Sequence, residues 1–481
     1  MKINLVIFGT GAFYKKRKHK FDTINTIHIC AFIDNNMDLW GTKINEVYIY
    51  SPQDLINIQY DYIVLMSMYA ADMYEKLINL GVDQCKILYW GAFNSYFSAK
   101  LRVYNATQKP SDIWKDKLLI LTTDIDYNGG TIAAMYAAQC LQLRNYKVDV
   151  FAPDGNIKLI REMNESGIEV VLYDSLPYIN KEEWIKKYRA VIVNVLQMIQ
   201  CACEISLYKP VLWWLHEPGL MYKAIMREFC NYADKDRMQF INIYAVSRQA
   251  EENFNKYFPN RVNEIMCFGI PNMYNASRKT DKEDKIVFAI IGGVNEEKAQ
   301  HIYLKAAKRI KSNIQTEFWI IGNINENAYG YQIMQEAEQN ENIKIKGVLT
   351  RDEMYHIFPQ IDVVVCASYE ETMSIAIIEG MMFRKVCIVT DNTGIADYIE
   401  DGKNGFIVSA GDAEALYNRM QWLIVHRNQM NIIGDNAGRT YEKYFCMEAF
   451  GDRLENAITQ TINKWGGGIP DGSTAITYFK G

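Results

Sequence analysis

The chain has 481 residues, 49% hydrophobic and 23% charged, with a formal net charge of −5. A chain of this length is too long to fold around a single hydrophobic core, so we predict about three domains. The composition is that of a soluble globular protein. The acidic balance gives no reason to expect nucleic acid as a partner.

The first predicted unit opens with an apolar strand, Ile3 to Phe8, that leads into Gly9-Thr10-Gly11. Asp34 ends the next apolar run, so the segment imitates a dinucleotide-binding fingerprint, but Tyr14 replaces the third glycine. We therefore expect residues 1–112 to form a Rossmann-like accessory domain without a cofactor.

A strongly basic run, Lys15 to Lys20, lies on the presumed first helix. One interpretation is peripheral contact with anionic lipid headgroups, which would suit a lipid-linked acceptor. The other is an ordinary solvated helix face. The sequence leaves both open.

The chain has the features of a cytoplasmic protein. Its start, one lysine and a short apolar run entering a glycine turn, predicts a strand and not a signal peptide. The ten cysteines lack zinc or redox spacing, as is usual in a reducing compartment. The longest uncharged run, Ala190 to Cys203, is too short to cross a bilayer.

The second predicted unit, residues 113–275, repeats the pattern of strand, glycines and helix. Leu118 to Thr122 leads into Asn128 and the pair Gly129-Gly130, where substrate can approach the backbone closely. Polar residues end two later apolar strands, where they face the crevice of the sheet: Asn194, His216 and Glu217.

The third predicted unit, residues 276–464, opens with a linker, residues 276–285, in which seven of ten residues are charged. Ile286 to Ile291 leads into Gly292-Gly293, and residues 465–481 form a loose tail. Each of the three units opens like a βαβ motif, so the fold class is α/β.

Two carboxylates in the third unit indicate a sugar-nucleotide site. Glu371 follows a buried strand and precedes a helix that starts near Ser374, which Thr372 or Ser374 can cap, and Glu379 lies inside that helix. Both face the crevice at the carboxyl ends of the strands, where the free N–H groups of residues 373–375 favour a phosphate. The carboxylates can accept hydrogen bonds from sugar and ribose hydroxyls.

The ordered motif from Glu371 to Val408 resembles the retaining glycosyltransferases of family 4, and the resemblance continues over residues 118–462. It includes Glu371-Thr-Met-Ser-Ile-Ala-Ile-Ile-Glu379-Gly-Met, Gly394-Ile-Ala-Asp397 and Glu400-Asp-Gly-Lys-Asn-Gly405. The resemblance implies the GT-B architecture: two Rossmann-like domains with a cleft between them, here preceded by the accessory domain.

The resemblance also implies residue roles. Glu371 would contact the donor sugar, Glu379 the ribose, and the backbone of Met373, Ser374 and Ile375 the diphosphate. Lys298 matches a pyrophosphate-binding lysine, whereas Gly293 stands where arginine is common. Either another cation substitutes, with Arg248 and Arg351 as candidates, or phosphate binding is weaker. Gly347 and Val348 would lie near the base, His216 near donor sugar and acceptor, and the remaining cleft residues would be Gly129, Gly130, Asn194, Glu217 and Arg248.

Our leading hypothesis is a retaining, metal-independent glycosyltransferase that moves a hexose from a UDP- or GDP-linked donor to a glycan or lipid-linked acceptor. Polysaccharide or glycoconjugate synthesis is what the family implies. A GT-B epimerase or phosphorylase, a non-catalytic binding subunit and a dehydrogenase built on the first domain remain alternatives. Base, sugar, linkage and oligomeric state stay open.

Overall fold

The computed structural model describes residues 2–97, 101–107, 114–173, 183–229, 238–274, 285–311 and 315–465. Most of the predicted linker (276–284) and of the predicted tail (466–481) lies outside these residues. Within the described part of the chain, no helix combines the length and the apolar character needed to cross a bilayer.

The first domain is a six-stranded sheet in the order β3-β4-β2-β1-β5-β6. Its strands are parallel apart from the β3–β4 hairpin. The elements are β1 (Ile3–Phe8), α1 (Ala12–Asp22), β2 (Ile27–Ile33), β3 (Lys43–Ile44), β4 (Val47–Tyr50), β5 (Tyr62–Leu65), α2 (Ala70–Asn79), β6 (Ile87–Tyr89) and α3 (Trp90–Phe97).

The second domain is an eight-stranded sheet in the order β14-β13-β12-β11-β8-β9-β10-β7. Its elements are β7 (Leu101–Tyr104), β8 (Lys117–Leu121), α4 (Gly129–Gln142), β9 (Lys147–Ala152), α5 (Ile157–Glu165), β10 (Glu169–Tyr173), β11 (Ala190–Asn194), α6 (Ile199–Ile205), β12 (Val211–Leu215), α7 (Gly219–Phe229), β13 (Ile241–Ala245), α8 (Arg248–Asn255) and β14 (Val262–Ile265).

The edge strand β7 corrects the predicted boundary after residue 112. It pairs antiparallel with β10, for example Tyr104 with Val170, and so belongs to the second sheet. The proline-containing stretch that suggested the boundary follows this strand. A short edge strand of mixed polarity carries too little pattern to be assigned to either sheet from sequence.

The third domain is a parallel six-stranded sheet in the order β17-β16-β15-β18-β19-β20. Its elements are β15 (Ile286–Ile291), α9 (Gln300–Ala307), β16 (Thr316–Ile321), α10 (Ala328–Glu338), β17 (Ile343–Gly347), α11 (Arg351–Ile357), β18 (Val363–Cys366), α12 (Ile375–Met382), β19 (Val386–Thr390), β20 (Phe406–Val408), α13 (Ala413–Val425), α14 (Met430–Thr440) and α15 (Met447–Lys464). The central strands are buried on both faces, as parallel strands between helices require.

The last helix, α15, returns to the second domain. Phe450 stacks on Trp214 with ring centroids 5.7 Å apart, and Arg144 lies 2.8 Å from Asp452. At the crossing, a Cβ on Gly269 would lie 2.6 Å from Phe450 Cβ, so only glycine fits without displacing the helix. The α/β class predicted from the three glycine turns is confirmed by these sheets.

Candidate active site

Lys298 and Glu371 form an ion pair in the loops that follow the adjacent strands β15 and β18. Lys298 Nζ lies 2.6 Å from Glu371 Oε1. The other carboxylate oxygen accepts hydrogen bonds from Ser368 Oγ at 3.1 Å and Cys366 Sγ at 3.2 Å. These groups line one small pocket together with Ser374. The predicted sugar carboxylate and phosphate cation are thus brought together.

The electrostatics of this pair keep both groups charged. Burial by itself would raise the pKa of Glu371, but Lys298 and the hydrogen bonds hold it below its usual range. Burial would lower the pKa of Lys298, but Glu371 raises it above the ordinary value. At neutral pH the pocket therefore presents a full cation beside a full carboxylate.

A compact turn presents Lys298 to the pocket. Asn295 Oδ1 accepts a hydrogen bond from Lys298 N at 2.9 Å, and Gln300 Nε2 donates to Gly293 O at 3.1 Å. A Cβ built on Gly293 would meet no heavy atom within 4 Å. Open space therefore lies where the resembling enzymes carry arginine.

Three glycines with positive φ end neighbouring strands: Gly292 at +143°, Gly322 at +146° and Gly347 at +69°. A Cβ on Gly322 would lie 2.1 Å from Gly292 O, and Gly322 N donates to Gly347 O at 2.8 Å. Bare backbone thus lines this edge of the sheet. Val348, which follows, is 69% exposed, so the position expected near the base is open.

The start of α12 differs in one detail from the prediction. Ser374 is the N-cap residue, but its side chain makes no capping hydrogen bond. The Thr372 hydroxyl does not cap the helix either, because it donates to His216 O at 2.6 Å. The helix begins at Ile375 with no side-chain cap, which leaves first-turn N–H groups for an anion, and Met373 is buried beside it.

Glu379, within α12, and Arg351, the first residue of α11, are close enough to interact electrostatically. Burial raises the pKa of Glu379 to about 7, while Arg351 opposes the shift. The Arg351 guanidinium lies 5.2 Å from the ring centroid of Tyr136, on α4 of the second domain. Arg351 is one candidate for the cation missing at Gly293, and the structure places it close enough to Glu379, the ribose candidate, to affect its pKa.

Arg248, the other candidate substitute, joins the second and third domains. Its Nε lies 3.9 Å from Asp397 Oδ2, and its side chain is 75% exposed. At this distance the pair is a loose surface contact of small energetic value. The assignment of Arg248 to phosphate stays a prediction.

His216 follows β12 at the interface with the third domain. Its ring centroid lies 4.4 Å from that of Trp214, and burial lowers its pKa to about 3. Its Nε2 is buried and has no hydrogen-bond partner among the described residues. A neutral imidazole with one unused polar atom is suited to orienting a hydroxyl.

Glu217 and Asn194 complete the second domain's edge of the cleft. Glu217 is 4% exposed, and burial raises its pKa to about 7 against hydrogen bonds from the backbone of Leu196 and His216. Asn194 Nδ2 donates to Gly130 O at 3.1 Å.

The two glycines at the start of α4 differ in the space around them. A Cβ on Gly130 would come within 3.0 Å of Val195, whereas one on Gly129 would meet nothing within 4 Å. Gly129 is thus the open member of the glycine pair.

Val195 adds backbone strain at this edge, because its φ of +78° is rare for a β-branched residue. The turn lets Leu196 offer its N–H to Glu217 and Val195 offer its carbonyl to Trp213 Nε1 at 2.9 Å. The strained turn at Val195 therefore helps to position the carboxylate of Glu217 in the cleft.

Glu370 is a residue that the sequence analysis missed. Its Oε1 accepts hydrogen bonds from Gly219 N at 2.6 Å and Asn253 Nδ2 at 2.9 Å, both in the second domain. The only signal was its position next to Glu371, since its partners lie more than a hundred residues away. With the bond from Thr372 to His216, it holds the donor-side loop against the second domain.

Some basic side chains of α1 form ion pairs with the second domain, and others are exposed to solvent. Lys16 Nζ lies 2.5 Å from Asp126 and 3.5 Å from Asp124, and the buried Lys20 lies 3.6 Å from Asp154. Lys16 and Lys20 are therefore not part of a lipid-docking face. Lys15, Lys18 and His19 remain exposed.

The fingerprint-like turn of the first domain is bonded within itself. Asp34 Oδ2 accepts hydrogen bonds from Thr10 N at 2.8 Å and from Thr10 Oγ1 at 2.7 Å. That carboxylate oxygen, which a dinucleotide ribose would use, is thus already bonded by the turn.

Comparisons with known proteins identify two regions of the chain. Residues 1–88 match the model of the C2185-like N-terminal family, and residues 274–440 match that of glycosyl transferases group 1. The region 274–440 is thus similar to glycosyl transferases group 1. The matched region contains Lys298, Glu371 and Glu379, the candidate donor residues.

Curated relatives match part of the chain. The putative glycosyltransferase EpsD of Bacillus subtilis is 26% identical over 143 residues, 30% of this chain and 37% of the relative. The O-antigen chain mannosyltransferase C of Escherichia coli is 27% identical over 180 residues, 36% of this chain and 47% of the relative. The chain thus spans less than half the length of these relatives.

Solved structures share the fold. Anabaena Alr3699/HepE, in complex with UDP and glucose, has a TM-score of 0.59 at 17% identity and covers 72% of this chain and 100% of its own. WaaG, a glycosyltransferase involved in lipopolysaccharide biosynthesis, has a TM-score of 0.53 at 12% identity, with 70% and 99% covered. The predicted GT-B architecture is confirmed.

Proposed function

We propose that the protein is a retaining glycosyltransferase that moves a hexose from a nucleotide sugar to an acceptor hydroxyl. The observation that carries this is the Lys298–Glu371 pair, 2.6 Å apart where the second and third domains meet. The reaction needs a cation to stabilise the leaving diphosphate and a carboxylate to bind the sugar hydroxyls. Lys298 and Glu371 supply these two groups.

Donor binding would exchange the internal ion pair for contacts with the ligand. Lys298 would turn to the diphosphate, which also meets the uncapped start of α12, while Glu371 accepts hydrogen bonds from the hexose. Glu379 would accept from the ribose, and the base would lie on the glycine edge near Gly347. Ser368 and Cys366 keep Glu371 oriented when Lys298 leaves it.

In the transfer step the acceptor oxygen bonds to the anomeric carbon as the bond from that carbon to the phosphate oxygen breaks. On the front face, the departing diphosphate takes the acceptor's proton, so no separate base is required. Lys298 and the α12 N–H groups stabilise the charge that builds on the diphosphate. His216, which stays neutral above pH 3, orients the acceptor through Nε2.

UDP-hexose is the donor that we propose first, since Alr3699/HepE was solved with UDP-glucose, and GDP-hexose is the second candidate. CapM of Staphylococcus aureus, a capsular polysaccharide biosynthesis glycosyltransferase, and the O-antigen chain mannosyltransferase support a role in polysaccharide assembly. We propose a glycan or lipid-linked acceptor. The described cysteines are free thiols, which supports the cytoplasm as the location.

A thermal-shift screen over UDP-, GDP-, ADP- and dTDP-sugars tests the proposal. We expect one nucleotide to raise Tm, and transfer from its sugar to proceed unchanged in EDTA. Conversion of the donor without acceptor would instead identify an epimerase. Absence of a shift with every nucleotide would leave a non-catalytic subunit and contradict the proposal.

Gly293→Arg is expected to lower the donor KM about tenfold, because a charge-assisted hydrogen bond is worth about 1.5 kcal/mol. The space around Gly293 is open and its φ is not positive, so the side chain fits without strain. Initial rates against donor concentration measure the effect, with Gly293→Ala as the control that adds no charge. A higher KM in the arginine variant alone would show that this position does not face phosphate.

Glu379→Gln is expected to stabilise the fold at pH 8 by roughly 3 kcal/mol while weakening donor binding. The raised pKa of about 7 means that the native state binds the extra proton, so stability falls as pH rises between about 4.5 and 7. The variant lacks this fall. Denaturant unfolding at pH 4.5 and pH 8 measures it, and equal stabilisation at both would contradict burial as the cause.

A further inference from the structure

A second cavity, of about 460 Å³, opens at the amino ends of β8, β11 and β12. Asn194 and His216, the second domain's edge of the candidate active site, lie at the carboxyl ends of β11 and β12, about 17 Å away along a five-residue strand. The lining is dominated by five cations: Lys117, Lys186, Lys187, Arg189 and Lys209. The proposed transfer reaction makes no use of any of them.

The positive charge of this cavity is only partly balanced. Lys117 lies 2.6 Å and Lys187 3.9 Å from the fully buried Asp149, which also accepts a hydrogen bond from Tyr188 at 2.5 Å. Asp116 is the one carboxylate among the described residues that line the cavity. Glu169 also interacts electrostatically with Lys187 and Tyr188. Five cations of the lining therefore lie near three carboxylates, in a chain whose overall charge is −5.

The cations also destabilise one another. Burial and the neighbouring Lys117 lower the pKa of Lys187, and burial and Arg189 lower the pKa of Lys209. A dianion between these groups would relieve the repulsion without moving the backbone.

Apolar and aromatic groups form the rest of the wall. Ile462 and Trp465, at and beyond the end of α15, face Tyr208, which is 42% exposed. The Trp465 indole is held in place because its N–H donates to Ser206 O at 2.8 Å. These surfaces suit the organic part of a ligand, and the volume is that of a small-molecule site.

The geometry points to a second ligand site here, which binds a phosphate group attached to a small organic moiety. Lys187, Arg189 and Lys209 bind the phosphate, and Tyr208 and Trp465 pack against the moiety. Its source is either a lipid headgroup or a soluble phosphorylated compound. Because α15 forms part of the wall, the ligand would also hold this helix on the second sheet.

Calorimetry with inorganic pyrophosphate tests the site in Lys298→Ala protein, in which the donor pocket lacks its cation. We expect binding that weakens at least about tenfold in Lys187→Ala/Lys209→Ala, since each charge-assisted bond is individually strong. The control Lys311→Ala/Lys344→Ala removes two exposed lysines elsewhere and should bind as before. Equal binding by both pairs, or no binding before either change, would overturn the site.

Two further variants separate lost binding from lost folding. Lys187→Arg/Lys209→Arg should retain pyrophosphate affinity, and Arg189→Ala repeats the test at an exposed residue. Sedimentation with phosphatidylcholine vesicles, with and without phosphatidic acid, identifies the source. Co-sedimentation that needs both phosphatidic acid and the two lysines assigns a headgroup, whereas pyrophosphate binding without vesicle binding assigns a soluble phosphate.

Discussion

Lys298→Ala is expected to lower kcat by about 10²- to 10³-fold, the usual cost of removing one group that stabilises charge in the transition state. It also leaves the carboxylate of Glu371 in its pocket without the cation 2.6 Å away. The variant should therefore be less stable as well as less active, because an uncompensated buried charge is costly. Steady-state kinetics and thermal unfolding measure the two effects.

The double variant Lys298→Ala/Glu371→Gln separates catalysis from stability. Removing the orphaned charge should restore much of the lost Tm, while transfer stays at the level of the single variant or falls further. Lys311→Ala, at an exposed lysine, is the matched control. Normal turnover in both Lys298→Ala and Glu371→Gln would refute the assignment of the active site.

Gly394→Ala is expected to reduce transfer by at least about 10²-fold, because misplaced reacting groups lose that much rate. Its Cβ would lie 1.9 Å from Thr372 O and 2.4 Å from Ser247 Cβ of the second domain. The donor loop must then move away from His216, which breaks the bond from Thr372 Oγ1. Kinetics and small-angle scattering, for domain separation, measure the outcome.

Gly293→Ala is the matched control for this substitution, since its Cβ meets nothing within 4 Å. The sheets do not depend on Gly394, so circular dichroism of the Gly394→Ala variant should match that of the unaltered chain. Wild-type kinetics in Gly394→Ala would show that the closed arrangement of these loops is not needed for transfer.

Much of the fold, and the positions of Lys298, Glu371 and Glu379 within it, followed from short patterns in the sequence. Gly9 and Gly292 directly follow the apolar strands β1 and β15, and Gly129 begins α4. The spacing of Glu371 and Glu379 gives their placement before and within α12. Such local patterns are set by backbone geometry and burial. They can therefore be recognised without knowing the tertiary contacts.

Contacts between distant segments could not be predicted in this way. Lys16 and Lys20 pair with carboxylates 100 or more residues further on, and Glu370 binds Gly219 and Asn253 of another domain. Isolated charges of this kind have no periodic pattern. The cationic cavity was missed for the same reason, since its lysines come from three separate strand starts.

The return of α15 to the second domain affects the order of folding during synthesis. Phe450 covers Trp214, and Asn242 is hydrogen-bonded to Thr461 at 3.2 Å. The second domain thus emerges from the ribosome well before the helix that completes its packing. Until that helix arrives, the nascent chain exposes an apolar sheet face, so the fragment 114–274 should aggregate unless α15 is supplied in trans.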